Sequence, residues 1–93
     1  MDGRAEKKVP GGKLIKIRVT WEDIITHLNI LGDFFLHPEE AIELIESSVV
    51  GMPVSSTVQT ITEKIETVVK EQHIQMLGII PQDIAETIVE AIS

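Results

Sequence analysis

Apolar and polar positions begin to alternate at Lys13. Ile15, Ile17, Val19 and Trp21 point one way, with Lys16, Arg18 and Thr20 on the other. A period of two, rich in β-branched residues, marks a strand with one buried face. Glu22 and Asp23 make a tight polar turn. Alternation then resumes from Ile24 to Leu31, with Ile24, Thr26, Leu28 and Ile30 set against Ile25, His27, Asn29 and Leu31. The two runs predict an antiparallel hairpin, Lys13–Trp21 against Ile24–Leu31.

The period then changes from two to nearly four. Pro38 suits a first helical position, and Glu39 and Glu40 complement the positive end of a helix dipole. Ala41, Ile42, Ile45 and Val49 follow at helical spacing, and Gly51 is a natural stop. Ser56 and Gln59 have the spacing of a capping box. Beyond them Val58, Ile61, Ile65, Val68 and Val69 form one stripe, with Glu63, Lys64, Glu66, Lys70 and Glu71 outside. That helix is expected to reach Gln72 or His73. Ile74 to Ile80 reads as an apolar linker interrupted by Gly78, and Pro81 opens a last helix with Ile84, Ile88, Val89 and Ile92 inward. The expectation is an α+β fold: an N-terminal antiparallel β-hairpin followed by about three helices packed on one face.

Composition narrows this little. Ninety-three residues at 43% hydrophobic and 25% charged support one domain with its own core. No apolar run approaches the roughly 20 residues of a membrane span, and the first residues lead into no signal-peptide core. The expected location is cytoplasmic. Without cysteine, disulfides, thiolate nucleophiles and cysteine metal sites are excluded.

The net charge of −7 is unevenly spread. Arg4, Lys7, Lys8, Lys13, Lys16 and Arg18 stand against only Asp2 and Glu6 in the first eighteen positions. Residues 1–9 read as a flexible charged lead-in, and residues 10–93 as the single folded domain. The acidic helices argue against a broad nucleic-acid surface, although a local anion contact near the N-terminus fits the charge.

Catalytic chemistry needs a nucleophile, a base and an orienting group that converge. Ser47, Ser48, Ser55, Ser56 and Ser93 fall on helix surfaces, caps and the terminus, where serine serves structure. His27, His37 and His73 share no metal-ligand spacing. Glu39/Glu40 and Glu43/Glu46 read as a solvated helix face, and Met52 and Met76 as core. No catalytic residue and no metal ligand is expected in this chain.

Two short stretches carry more information. In Pro10-Gly11-Gly12-Lys13, glycine amides beside a lysine can approach a phosphate or carboxylate closely. The spacing is not that of a phosphate loop, and a flexible turn is the plainer reading of these residues. In Gly32-Asp33-Phe34-Phe35-Leu36-His37-Pro38-Glu39-Glu40, Gly32 and Asp33 bend the chain, and Pro38 fixes its exit. Phe34 and Phe35 are the only phenylalanines. Successive side chains of an extended segment point to opposite faces, so one ring can enter the core while the other faces a second surface; the plainer reading of the residues alone is that both close the core around a strand-to-helix turn.

Lys8-Val9-Pro10-Gly11-Gly12-Lys13-Leu14-Ile15, then the hairpin, then the segment from Ile30 to Glu40, resembles the accessory domain of lipoate–protein ligases. Gly78-Ile79-Ile80-Pro81-Gln82-Asp83-Ile84 continues the resemblance, which covers roughly Lys7 to the C-terminus. Ile80 departs from expectation, since a hydroxyl residue would cap the helix opening at Pro81. In some organisms this domain is a separate small subunit beside a large catalytic one.

The resemblance implies a two-step ligase. Lipoate and ATP, with magnesium, form lipoyl-adenylate and pyrophosphate, and the lipoyl group then passes to a lysine of an acceptor lipoyl domain. The family's catalytic motifs belong to the large subunit, so this chain binds none of these cofactors alone. It would form a heterodimer with the large subunit and close over or order its site, with no nucleic-acid or membrane partner. Gly11, Gly12 and Lys13 are then the candidates nearest the phosphates. Phe34 and Phe35 are the candidates for the subunit interface, and Gly32, Asp33 and Pro38 form the structural joint. The competing expectation is a small acidic protein-interaction module, unrelated to lipoylation, that uses its hairpin edge.

Overall fold

The expected hairpin is present and gains a third strand. In a computed structural model describing all 93 residues, β1 (Asp2–Lys8), β2 (Leu14–Trp21) and β3 (Ile25–Gly32) form an antiparallel sheet in that order. Its register runs Asp2 opposite Thr20 to Lys8 opposite Leu14, and Ile15 opposite Gly32 to Trp21 opposite Ile25. A two-stranded ribbon, β4 (Phe35–His37) with β5 (Gln75–Leu77), stands apart from it. Three helices complete the α+β fold: α1 (Ala41–Val49), α2 (Val58–Glu71) and α3 (Pro81–Ile92).

The charged lead-in expected at residues 1–9 is corrected to a strand. Its inward positions are Gly3, Ala5 and Lys7, so it lacks the large apolar residues that announce β-structure. The smallness of Gly3 and Ala5 is what packing requires here. A Cβ on Gly3 would collide with the Ala91 carbonyl oxygen of α3. Lys7 in turn reaches onto α3, to Glu86 Oε1 at 2.6 Å and Glu90 Oε1 at 3.7 Å.

The inner face of the sheet buries Ile15, Ile17, Val19, Ile25, Leu28 and Ile30. The expected alternation fails once on β3, where Ile25 rather than Ile24 is buried. A register shift makes Trp21 face Ile25 while Thr20 faces His27, leaving Thr26 as the extra residue of a bulge. The Thr26 hydroxyl donates to the Thr20 carbonyl at 3.1 Å, and the bulge carries Ile25 onto the same face as Leu28 and Ile30.

α3 packs on β1 and β2, α1 packs on β3, and α2 packs against both helices. The predicted stripes supply the contacts: Ala41, Ile45 and Val49 from α1, Ile61 and Ile65 from α2, Ile84 and Ile88 from α3. Val89 and Ile92, expected inward, are only half-buried, and Ala85, Thr87 and Ala91 are buried instead. The Thr87 hydroxyl donates to the Asp83 carbonyl at 2.7 Å, so its burial leaves no polar group unmet.

Two helix starts differ from expectation, and α3, which opens at Pro81 as expected, is capped differently. α1 starts at Ala41, because β4 keeps the chain extended to His37 and the Ala41 amide closes a turn onto the Pro38 carbonyl at 3.0 Å. α2 is capped by Thr57, whose hydroxyl accepts from the Thr60 amide at 3.1 Å, while the Ser56 hydroxyl donates back to the Pro53 carbonyl. At α3 the missing hydroxyl cap is replaced by Asp83, whose carboxylate accepts from the Ile80 amide at 3.1 Å.

The segment read as a linker is corrected too. His73 adopts a left-handed conformation (φ 53°) as α2 ends, and the Ile74 amide donates to the Val69 carbonyl at 2.9 Å. That turn delivers Gln75–Leu77 alongside β4.

Candidate functional site

Three separated stretches meet at one end of the molecule. Between β1 and β2 the chain reverses through Gly11 and Gly12, both at positive φ (95° and 85°), with the Val9 amide donating to the Lys13 carbonyl at 2.8 Å. Only glycine adopts this backbone without strain. At the end of β3, Asp33 fastens the second stretch to the first. Its Oδ1 accepts from the Leu14 amide at 2.7 Å, and its own amide donates to the Leu14 carbonyl at 3.3 Å.

Gly32 makes that approach possible. A Cβ there would collide with the Leu14 carbonyl oxygen and with the Phe34 ring. The third stretch is the turn after β5, where the aliphatic stem of Lys13 crosses Gly78. A Cβ on Gly78 would lie 3.0 Å from Lys13 Cγ and 3.3 Å from Cε. Residues far apart in the chain, 10–14, 32–35 and 77–80, thus form one surface.

The Lys13 side chain is half-buried and makes no ion pair. Gly11 and Gly12 are exposed, but the Gly12 amide donates to the Val9 carbonyl at 3.0 Å. The Gly11 amide has no acceptor in the chain. An anion arriving here would therefore meet one free amide and an ammonium group, rather than a cradle of amides.

The two phenylalanines are divided by the pleat. Phe34 is half-buried, packing on Gly32 and the hydrophobic core. Phe35 is 73% exposed. Opposite it on the ribbon stands Leu77, itself 66% exposed, so an aromatic and an aliphatic side chain share one solvent-facing side. The opposite side of the ribbon carries Leu36 and Met76, which pack on the core. Pro38 is half-buried where the ribbon hands over to α1.

Leu77 was hidden from pattern reading because a three-residue strand is too short to display a period. Nearby, Pro10, Met76, Gly78, Ile79, Ile80 and Asp83 line an open depression of about 460 Å³, at whose rim Ile80 is 56% exposed.

Glu46, read as part of a solvated helix face, is half-buried and accepts from the Ile30 amide at 2.7 Å. With the Ile25–Met52 and Gly51–Ile25 hydrogen bonds, it occupies the outer edge of β3. β1 covers the corresponding edge of β2. The hairpin edges are thus covered, leaving β1 as the outer strand on that side.

No family model and no curated protein matches the sequence at a significant level. Among solved structures there is a match within an archaeal lipoylation system, described as a bi-partite lipoate protein ligase and its E2 lipoyl domain from Thermoplasma acidophilum. The superposition has a TM-score of 0.69 at 22% identity, covering 95% of this chain and 92% of that one. The two chains share a fold. The likeness spans β1 to α3 nearly end to end, so it is one of whole domains and not of a local motif.

Proposed function

We propose that this chain is the non-catalytic small subunit of an ATP-dependent lipoate–protein ligase. It docks on a large catalytic subunit and enables formation of lipoyl-adenylate, before the lipoyl group passes to a lysine of an acceptor lipoyl domain. The observation that carries this reading is the length-matched likeness to a chain of a bi-partite lipoate ligase system. Two features of the chain support it. The segments that resemble the ligase accessory domain converge at one end through Asp33, Gly32 and Gly78. That same end presents Phe35 and Leu77 outward, and large apolar side chains of this kind anchor protein interfaces.

In this reading ATP, magnesium and lipoate are held by the assembled ligase. Lys13 stands closest to the developing phosphate charge, and docking orders the partner's loops and excludes water from its site. The test is reconstitution from two purified chains, this one and the catalytic subunit encoded in the same genome. The small chain alone is expected to give no lipoate-dependent ATP–pyrophosphate exchange, and the mixture to exchange well above the large subunit alone. Exchange by the small chain alone, or no gain on mixing, contradicts the proposal.

A further inference from the structure

The sheet face turned away from the helices carries an arrangement that folding alone disfavours. Register sets its outward residues in rows across the three strands. One row reads Arg4, Arg18, Asn29, and the next reads Glu6, Lys16, Leu31. Arg4 and Arg18 are therefore direct cross-strand neighbours of like charge, which is destabilising. Neither guanidinium has a carboxylate within ion-pair distance, and neither donates a hydrogen bond within the chain.

The acids on the same face are engaged elsewhere. Asp2 accepts from the Thr20 hydroxyl at 2.7 Å, and Glu6 lies 3.9 Å from Lys16. In a chain of net charge −7, two adjacent arginines are left without a counter-charge. Beside them Leu31 is 60% exposed, one row or about 7 Å further along.

We propose that the outer face of the sheet is a docking surface for an acidic protein segment, its carboxylates gripped by Arg4 and Arg18 and an apolar side chain set on Leu31. Guanidinium forks match carboxylates bidentately. The missing charge defines the sign of the partner, and Leu31 gives it an apolar neighbour. Two shallow depressions on this face share Arg4 and Arg18, one bordered by His27 and Asn29, the other by Leu31. A small phosphate compound is a poorer fit, because the face is open and offers no enclosed pocket around the pair. Nucleic acid fits less well still, since Asp2 and Glu6 stand on the same face and its one aromatic ring is the imidazole of His27.

The test is an amide NMR titration of the full chain with the peptide acetyl-Glu-Glu-Leu-Ser-Glu-Glu-amide. The proposal expects saturable shifts centred on Arg4, Arg18, Asn29 and Leu31, weakening with added salt. Arg18→Glu should weaken binding at least about tenfold, as like-charge juxtaposition requires. Arg4→Glu should also weaken binding yet raise Tm by about 2–5 °C, by turning a repulsive pair into an attractive one. A purely structural arginine pair would move Tm the other way.

Four outcomes would overturn the proposal. Millimolar peptide could leave these resonances unmoved, or a peptide with lysine for every glutamate could shift them equally. Inorganic phosphate or a short thymidine oligonucleotide could shift them at lower concentration than the peptide. Finally, the same resonances could move on raising the protein concentration alone, which would mark a contact between copies.

Discussion

The molecule contains two β-assemblies built on opposite terms. In the three-stranded sheet, the inward residues Ile15, Ile17, Val19, Ile25, Leu28 and Ile30 are buried beneath the helical layer, with α1 and α3 against the strands. In the β4–β5 ribbon each strand has three residues and none is fully buried. Its inward side gives only Leu36 and Met76 to the core, while its outward side spends a phenylalanine and a leucine on solvent. Isolated two-stranded ribbons are marginal in water, so this one persists because the helices and the Asp33 fastening hold its ends. The sheet stores stability, and the ribbon displays apolar surface in a fixed frame.

Substitutions should separate the two, the sheet side giving the largest effect. Ile88→Ala empties a fully buried position of α3 and is expected to cost about 2–5 kcal/mol, read as a lower midpoint in urea unfolding. A loss under about 1 kcal/mol would mean that the helix layer is loosely packed.

Lys13→Ala sits at the ribbon end and should leave stability nearly unchanged. Lipoate adenylation by the reconstituted pair should fall about tenfold, equivalent to about 1.4 kcal/mol, with much less effect on transfer from preformed lipoyl-adenylate. Equal loss in both half-reactions, or loss of subunit association, would return the turn to a structural role.

The smallest expected effect is electrostatic and lies where β1 meets α3. Hydrogen bonds from Lys7 and Gln82 hold the Glu86 carboxyl below its ordinary value of 4.5, while the hydrogen bond to Glu86 holds Lys7 above 10.5. Glu86 therefore contributes fully above its unfolded pKa, and the contribution is lost as pH falls through the lower folded value. Lys7 contributes fully below its unfolded pKa and loses the contribution as pH rises through its folded value. Half-exposed pairs of this kind are worth about 0.2–1 kcal/mol. Glu86→Gln should flatten the acid limb of a stability–pH profile by that amount. An unchanged limb would show that the pair does not fasten β1.

The parts that pattern reading captured are those where a long element buries one face. The β2–β3 hairpin and the stripes of α1, α2 and α3 follow from periods of two and nearly four over eight or more residues. What escaped has specific causes. β1 puts Gly3, Ala5 and Lys7 inward, so close approach to α3 replaces hydrophobicity as its signature. β4 and β5 are too short for a period, and the Thr26 bulge shifts faces without changing composition. Glu46 looks like surface charge until the free edge of β3 comes beside it. At the ribbon end, the glycines, Asp33 and the phenylalanine pair stood out by type and spacing. Their convergence with Gly78 and Leu77 depends on chain reversals that no local window contains.

The division of labour rests most directly on the two phenylalanines, measured as unfolding free energy for the isolated chain and as calorimetric affinity for the large subunit. Phe34→Ala should destabilise the chain, by less than the roughly 3–5 kcal/mol of a fully buried ring, because Phe34 is only partly enclosed. Phe35→Ala should change stability by under about 0.5 kcal/mol while weakening association by about 2 kcal/mol or more. If Phe35→Ala binds the large subunit as tightly as the unaltered chain, the ribbon is not the docking surface and the account is wrong.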